Sequence, residues 1–201
     1  MKSRLLALLA LTLGTSALNA AEAFLRPLAY AVFPTMNGYS NAAAGGLSGG
    51  FQFGSENQHE VSLEWFYTNW EGRDHNSYYS ETYREHMMPW YATYRYYANT
   101  SFTNTRVYIG TGLGLTYSLA QLNESGSSYS YHWSYSGSSY DVKINASANI
   151  GAIITLARHL DLDLGYRYLY SGAPSYTLLG GKIHDDTIGL HLIYAGLNCR
   201  F

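Results

Sequence analysis

The sequence predicts an all-β fold in which about eight antiparallel strands close into an up-and-down barrel that spans a membrane. Three observations lead to this prediction. Segments of roughly ten residues alternate apolar side chains with polar or small ones along most of the chain. The connections between these segments are alternately short and long. Aromatic residues make up 16% of the chain and charged residues only 13%, as expected for strands with one face in lipid.

Residues 1–23 are predicted to be an export signal, which leaves residues 24–201 as the barrel domain. Lys2 and Arg4 precede a short apolar run at residues 5–13, and small-residue cleavage sites follow after Ala20 and, as a better match, after Ala23. The run is too short for a membrane-spanning helix, which needs about 18 apolar residues. Removing the signal leaves 10 basic and 13 acidic residues, a balance that argues against a nucleic-acid partner.

Four strands are predicted in the first half of the chain, at residues 25–36, 44–54, 59–70 and 83–98. Apolar side chains occupy every second position, which places them on one face of each strand. We expect these apolar rows to face lipid and the intervening polar residues to face the interior. The rows are, in chain order, Leu28, Tyr30, Val32 and Met36; Leu47, Gly49, Phe51 and Phe53; Val61, Leu63, Trp65 and Tyr67; and Met88, Trp90, Ala92, Tyr94 and Tyr96.

Four more strands are predicted in the second half, at residues 106–117, 141–156, 160–170 and 187–201. In the first of these the polar face carries Gly110, Gly112 and Gly114, which leaves room for large side chains from elsewhere in the interior. The apolar rows are Val107, Ile109, Thr111, Leu113, Leu115 and Tyr117; Val142, Ile144, Ala146, Ala148, Ile150, Ala152 and Ile154; Leu160, Leu162, Leu164, Tyr166, Tyr168 and Tyr170; and Ile193, Ala195, Leu197, Cys199 and Phe201.

The connections fall into two classes that alternate along the chain. Compact turns are predicted at residues 55–58, 99–104 and 157–159, and longer exposed loops at residues 71–82, 119–140 and 171–186. The exception is the first connection, at residues 37–41, which is short although it falls on the side of the long loops. Short turns on one side and long loops on the other are typical of barrels in the bacterial outer membrane. An even number of strands returns both termini to the periplasmic side.

The last strand carries a family resemblance. It ends on an aromatic residue, Phe201, and so resembles the closing strand of bacterial outer-membrane β-barrels. The resemblance implies a barrel assembly signal at Tyr194, Gly196, Cys199 and Phe201, in which the cysteine is a mild departure. Over nearly its whole mature length the chain resembles the small eight-stranded outer-membrane proteins of the OmpA transmembrane-domain, OmpX and Opa type. That resemblance implies a Gram-negative outer membrane, with lipid, lipopolysaccharide and the barrel assembly machinery as partners.

Charged residues on the polar faces bear on whether the barrel conducts ions. The interior of an eight-stranded barrel is just wide enough to be filled by side chains. A network of paired charges is therefore predicted to have a structural role, with a small channel as the alternative. The charges are nearly balanced and comprise Glu64, Arg95, Arg106, Lys143, Asp161, Asp163, Arg167 and Arg200.

No catalytic, cofactor or metal site is predicted. His184, Asp185 and Asp186, with His132 and the serines of the longest loop, contain the residue types of a base, an orienting carboxylate and a nucleophile. Nothing in their spacing selects them, so a lipid A-modifying enzyme is the less favoured alternative. The seven histidines are scattered, and Cys199 is predicted to face lipid.

The longest loop contains the best candidates for recognition of an extracellular ligand. Tyr129, Tyr131, His132, Trp133 and Tyr135 lie in a Ser- and Tyr-rich segment, and exposed aromatic residues provide large contact areas at small entropy cost. Equally, the segment could continue the fifth and sixth strands above the membrane as a two-stranded ribbon. The sequence thus favours a non-enzymatic barrel with a structural or surface-presenting role, and it does not identify a ligand.

Overall fold

Strands make up most of the chain that the computed structural model describes, which is residues 21–35, 40–75, 79–102, 104–128, 131–173, 175–178, 181–184 and 187–201. Eight strands form a closed antiparallel barrel, and two short ones form a separate hairpin. The barrel strands are β1 (Glu22–Pro34), β2 (Ala42–Phe53), β3 (His59–His75), β4 (Tyr79–Asn99), β5 (Thr105–Ser128), β6 (Tyr131–Ala157), β7 (Leu160–Ser171) and β10 (Ile188–Arg200). The hairpin consists of β8 (Ser175–Leu178) and β9 (Gly181–His184).

The ring closes where the first and last strands pair. β1 runs antiparallel to β10 from Phe24, opposite Arg200, to Pro34, opposite Leu190. Every other barrel strand pairs with its neighbours in chain order, so the ring has no free edge within the wall. The predicted fold class is therefore confirmed. Within the described ranges no helix is long and apolar enough to cross a membrane. Met36 and most of the turn predicted at residues 37–41 lie outside those ranges.

The barrel has two different ends. Short turns join β2 to β3, β4 to β5, and β6 to β7 at what we call the short-turn end, and the opposite end is the long-loop end. β1, β2, β7 and β10 have only 12 or 13 residues, about the length that a tilted strand needs to cross a bilayer. β3, β4, β5 and β6 have 17, 21, 24 and 27 residues.

The four long strands continue past the long-loop end as a four-stranded sheet, which we call the extension. Its backbone pairing runs to His75 and Ser80 between β3 and β4, and to Ser128 and Tyr131 between β5 and β6. The loops predicted at residues 71–82 and 119–140 are therefore mostly strand, and the ribbon alternative is confirmed. The extension lies beyond the barrel wall and has only a short buried apolar stretch, at Ala120 and Leu122, so its sequence lacks the long apolar rows that identify the other strands.

Outward side chains are apolar in the barrel wall, as predicted for seven of the eight strands. Leu63, Ile109 and Ile144 are 71%, 63% and 73% exposed on the outer surface. β1 is the exception, because its predicted lipid-facing residues Leu28, Tyr30 and Val32 are buried inside the barrel, so that prediction is wrong. Both faces of β1 are largely apolar, so alternation alone could not identify the inner one.

Two prolines interrupt the pairing of the wall. The register between β1 and β10 passes from Leu25 to Leu28 and omits Pro27. The register between β3 and β4 likewise has no pair for Pro89 on the β3 side. Proline has no N–H to donate, so a ladder hydrogen bond is lost at each position.

Candidate functional site

Six charged side chains meet inside the barrel wall and form what we call the charged layer. All are at most 1% exposed to solvent. Three are cationic and three anionic, so their formal charges balance. They come from four strands, β1, β3, β4 and β7. The six residues are Arg26, Arg95 and Arg167 with Glu60, Glu64 and Asp163.

Arg95 is at the centre of the charged layer. Its Nη1 donates to Oδ2 of Asp163 at 2.7 Å. Its other nitrogens lie 3.6 Å from carboxylate oxygens of Glu60 and of Glu64. Gly110 of the neighbouring strand makes space for this side chain, because a Cβ at that position would lie 2.9 Å from Cγ of Arg95. One arginine thus faces all three carboxylates.

The other two arginines complete the pairing. Arg26 binds the two oxygens of Glu60 at 2.7 and 3.2 Å and also reaches Asp163 at 3.1 Å. Arg167 binds both oxygens of Glu64, with its Nη2 3.0 Å from Oε2. Paired guanidinium and carboxylate groups of this kind make strong, directional hydrogen bonds. Breaking such a pair in a buried site is expensive, because the remaining charge has no compensation.

Tyrosine hydroxyls satisfy the carboxylate oxygens further. Tyr97 donates to Glu60 and Tyr108 to Asp163, each at 2.6 Å. Tyr91 donates to Glu64 at 2.8 Å, and Tyr30 donates to the same carboxylate. The rings also cover the cations, since the guanidinium carbon of Arg95 lies 4.7 Å from the centre of the Tyr108 ring. The charged layer is therefore a network of ion pairs, hydrogen bonds and cation–π contacts.

An apolar layer lies between the charged layer and the long-loop end. Its side chains come from β1, β3, β4, β7 and β10 and belong to the same packed cluster as Tyr30 and Tyr194. Each of the following is 0% exposed: Val32, Phe66, Met87, Leu169, Leu190 and Leu192. The two layers follow one another along the barrel axis. On the β5–β6 side the second layer is polar, because the buried Ser118 pairs with Met87 and the buried Ser147 pairs with Leu169.

The short-turn end carries a third set of polar groups, in which Asp161 is buried and Arg200 is partly exposed. Arg200 pairs with Asp161 at 2.9 Å and with Glu22 at 3.2 Å. Arg106 donates to the backbone oxygens of Glu56 and Asn57 at 3.2 and 3.1 Å. A cavity of about 500 Å³ opens between these turns and is lined mainly by polar residues.

The eight charges predicted to face inward therefore separate into three places. Glu64, Arg95, Asp163 and Arg167 meet in the charged layer. Asp161, Arg106 and Arg200 lie at the short-turn end. Lys143 lies near the long-loop end, where it pairs with Asp141 at 3.1 Å, and its side chain is 35% exposed.

Sequence reasoning missed two members of the charged layer, Arg26 and Glu60. Only Glu60 lies at an even step from a residue placed on the inner face by the sequence, whereas Arg26 lies in the row of β1 predicted to face lipid. Glu60 is four residues before Glu64 on β3, which puts the two on the same side of the strand. Arg26 shares its row with the buried Tyr30, and only the orientation of β1 conceals it.

The β8–β9 hairpin covers part of the long-loop end. Tyr176 is 1% exposed and donates from its hydroxyl to Oε1 of Glu85 at 2.7 Å. Its ring packs in a small cluster with Ala120 and Leu122 of the extension. The backbone N–H of Ser175 donates to Asp141, at 2.7 Å. The loop predicted at residues 171–186 thus contains a docked hairpin.

Asp141 lies beside this hairpin at the long-loop end. Its partial burial favours the neutral carboxyl group. The Lys143 ammonium and the backbone N–H groups of Ser175 and Val142 outweigh that effect, and the pKa of Asp141 is lowered. The carboxylate therefore stays ionised where it holds the hairpin.

The predicted recognition residues lie at the tip of the β5–β6 ribbon. His132 and Tyr135 are exposed, and Trp133 is half-buried next to Gly126. Tyr131 pairs through its backbone with Ser128. Tyr129 lies outside the described residues.

The residues weighed for catalysis are not assembled in the described structure. His184 pairs through its backbone with Ser175 in the hairpin, and His132 lies at the ribbon tip. Asp185 and Asp186 fall outside the described ranges. In the described part of the chain, no three His, Cys, Asp or Glu side chains are placed to hold a metal ion.

The four residues of the expected assembly signal lie in different environments on the closing strand. Tyr194 is buried, and its hydroxyl lies 2.6 Å from that of Tyr108. Gly196 allows close packing, since a Cβ there would lie 2.7 Å from Leu28. Cys199 is half-buried on the outward row, and Phe201 is 75% exposed.

Comparison with known proteins gives the family. The fold is similar to that of Neisserial surface protein A (TM-score 0.58, 17% identity, 90% of this chain and 99% of that chain). It is also similar to Ail of Yersinia pestis, solved with the heparin analogue sucrose octasulfate (0.51, 14%, 90% and 99%). A third similar structure is OprG of Pseudomonas aeruginosa (0.51, 14%, 90% and 96%). No curated protein matches the sequence. Residues 5–201 match the family described as "Outer membrane protein beta-barrel domain", and the chain belongs to that family.

Proposed function

We propose that the protein is a non-conducting scaffold of the outer membrane that holds its extension outside the cell. The family and the similar folds imply a Gram-negative outer membrane. In such barrels the short turns face the periplasm and the long loops face outward. The extension and the hairpin are therefore on the extracellular side.

The observation that carries this proposal is the succession of two buried layers across the interior. An ion on the barrel axis would first have to displace guanidinium groups from their carboxylate partners. Removing one partner of a buried pair typically costs about 3–5 kcal/mol. It would then meet the apolar layer, whose packed side chains fill the interior on the β1, β3, β4, β7 and β10 side and leave no open path there. Either layer alone opposes ion flow.

The exposed ribbon tip fits the surface-presenting part of the proposal. His132 and Tyr135 lie at the far end of the longest strands. We propose these residues, with Trp133, as contacts for an extracellular ligand. The closing strand, with Tyr194 and Phe201, is proposed as the segment that the barrel assembly machinery binds.

Single-channel recording in a planar bilayer tests the proposal. The refolded protein should give no current steps, with a general porin as the positive control and a heat-dependent gel shift as the check on folding. Asp163→Ala should also be silent, because the apolar layer stays intact. Leu169→Ser with Leu192→Ser should be silent as well, because the charged layer stays intact.

Stable steps from the wild-type protein that change in size in Asp163→Ala would contradict the proposal and support the channel alternative. The enzymatic alternative has its own test. Lipid A from cells with and without the protein should have the same mass, and a mass difference that disappears in a His184→Ala variant would support an enzyme.

A further inference from the structure

The cavity at the short-turn end has a volume of about 500 Å³, which is within the range of small-ligand sites. Its walls are the β2–β3 turn, the β4–β5 turn and the adjoining ends of β5, β6 and β10. The β4–β5 turn is held to β6, because the backbone oxygen of Asn104 accepts from the N–H of Thr155 at 2.8 Å. Within that turn the Thr100 hydroxyl donates to the backbone oxygen of Thr105 at 2.7 Å. The cavity therefore has a fixed backbone wall, and in the orientation proposed above it opens to the periplasm.

Arg106 provides the cavity with a cation that has no anionic partner. Its side chain is half-buried, and its guanidinium carbon lies 5.0 Å from the centre of the Tyr97 ring. Its Nη1 donates to the backbone oxygens of Glu56 and Asn57, at 3.2 and 3.1 Å. The N–H groups on Nε and Nη2 have no hydrogen-bond partner among the described residues.

This lack of an anionic partner distinguishes Arg106 from the other enclosed cations of the protein. Every other buried or half-buried arginine or lysine whose side chain the structure describes pairs with a carboxylate. Those residues are Arg26, Arg95, Lys143, Arg167 and Arg200. The N–H groups on Nε and Nη2 lie along one edge of the guanidinium plane, and such parallel donors match the oxygens of a carboxylate. The unoccupied edge of Arg106 is therefore suited to a carboxylate that a ligand supplies.

Glu56 adds a negative charge to the same cavity. Its carboxylate accepts a hydrogen bond from Nδ2 of Asn99. This charge repels a dianion such as phosphate, whereas a ligand with a single negative charge and a nearby N–H can bind both Arg106 and Glu56. The last residue of a peptide chain has this combination, because its carboxylate and its amide N–H are attached to the same carbon. Asn104 and Thr155 also line the cavity and offer neutral polar groups to the preceding peptide units.

We propose that this cavity binds the carboxyl end of a peptide chain in the periplasm. Arg106 binds the terminal carboxylate through Nε and Nη2, and Glu56 accepts the amide N–H of the same terminal residue. Asn104 and Thr155 form hydrogen bonds with the preceding peptide units. The proposal goes beyond the scaffold role and depends neither on the extension nor on a closed interior, so a current in the bilayer assay would leave it standing.

The test is an NMR titration of the full barrel in phospholipid nanodiscs, with the tripeptide acetyl-Ala-Ala-Ala as the probe. We expect shifts in the backbone amides of Asn104, Thr105 and Arg106. The same tripeptide with an amidated carboxyl end should bind at least about tenfold more weakly, because it cannot form charge-assisted hydrogen bonds through its end. Inorganic phosphate should leave these amides unshifted, because Glu56 repels it.

Matched variants test the role of Arg106. Arg106→Gln should raise the Kd about tenfold, since the charged donors are lost. Arg106→Lys should have an intermediate Kd, because the ammonium keeps the charge but not the parallel donors. Arg158→Gln removes the same charge from an exposed turn residue at the same end and should leave the Kd unchanged.

Three outcomes would overturn the proposal: equal binding of the free and the amidated tripeptide, a wild-type Kd in Arg106→Gln, or displacement of the tripeptide by phosphate. The first and the third use only the wild-type protein and do not depend on the folding of a variant. The heat-dependent gel shift confirms that each variant is folded.

Discussion

At the scale of single residues, Arg95 has the largest consequences for stability. It faces Glu60, Glu64 and Asp163, and all four side chains are buried. A buried carboxylate without its cation is strongly destabilising, whereas an apolar replacement of the whole pair is often tolerated. Loss of Arg95 is therefore destabilising chiefly because its carboxylate partners remain buried without their shared cation.

We expect Arg95→Leu to lower the free energy of unfolding by about 3–5 kcal/mol. Urea unfolding in lipid vesicles, followed by the gel shift, measures this change. The control is Arg158→Leu at an exposed turn residue, which should change stability by less than about 0.5 kcal/mol. Arg95→Leu combined with Asp163→Leu should recover part of the loss. A loss in the double variant equal to the sum of the two single losses would contradict the pairing.

The residues of the charged layer show what alternation in a sequence can predict. Glu64, Arg95, Asp163 and Arg167 lie on strands with one clearly apolar face, so their inward direction follows from position alone. Arg26 lies on a strand that is apolar on both faces, which leaves its direction open. Which arginine binds which carboxylate depends on the register around the ring, and a single sequence does not contain that information.

At the scale of elements, the start of β1 bears on how the expected export signal is removed. Glu22 accepts hydrogen bonds from Asn57 at 2.9 Å and Arg200 at 3.2 Å. The backbone oxygen of Ala23 accepts from the N–H of Phe201 at 2.8 Å. Cleavage after Ala23 would remove all three hydrogen bonds, two of which join β1 to the closing strand. The folded barrel thus favours the earlier site.

We therefore expect cleavage after Ala20, which makes Ala21 the first residue of the mature protein. Amino-terminal sequencing and intact mass of protein from isolated outer membranes measure this directly. Ala20→Gln should slow processing, because signal cleavage prefers a small residue at that position. Phe24 as the first residue of the wild-type protein would show that the contacts of Glu22 are not needed for closure.

A second element with a testable role is the β8–β9 hairpin. Tyr176 is its buried anchor, so Tyr176→Ala should free the hairpin to open locally. We expect trypsin to cleave after Lys182 at least about tenfold faster in this variant, because cleavage follows the population of the open form. Tyr176→Phe keeps the packing and should show a smaller effect. Thr177→Ala, whose exposed side chain faces away from the cluster, should match the wild type, and an equal rate in Tyr176→Ala would contradict the anchor.

The connecting elements were the least predictable part of the fold. Residues 71–82 are polar and charged, and residues 119–140 are rich in Ser, Gly and Tyr; both compositions are also typical of loops. Their described parts form strands because a neighbouring strand satisfies the backbone groups, and that pairing needs no long apolar row in the sequence. The β8–β9 hairpin could not be predicted for the same reason.

At the scale of the whole molecule, strand number, order and closure all follow from the alternation and the connection pattern. The uneven height of the wall does not follow from either pattern. Its four short strands are adjacent in the ring, and so are its four long ones. β6 exceeds β7 by 15 residues, or about 50 Å at about 3.3 Å per residue.

Because of this uneven height, the protein presents different surfaces to its neighbours on different sides in the plane of the membrane. A neighbouring protein that drifts toward β1, β2 or β10 meets a low rim, whereas one that drifts toward β4 or β5 meets a tall polar sheet. Lateral crowding is therefore resisted on one side only. In a densely packed membrane its rotation about the membrane normal therefore determines whether a neighbour meets the low side or the tall side, and so which neighbours can come close.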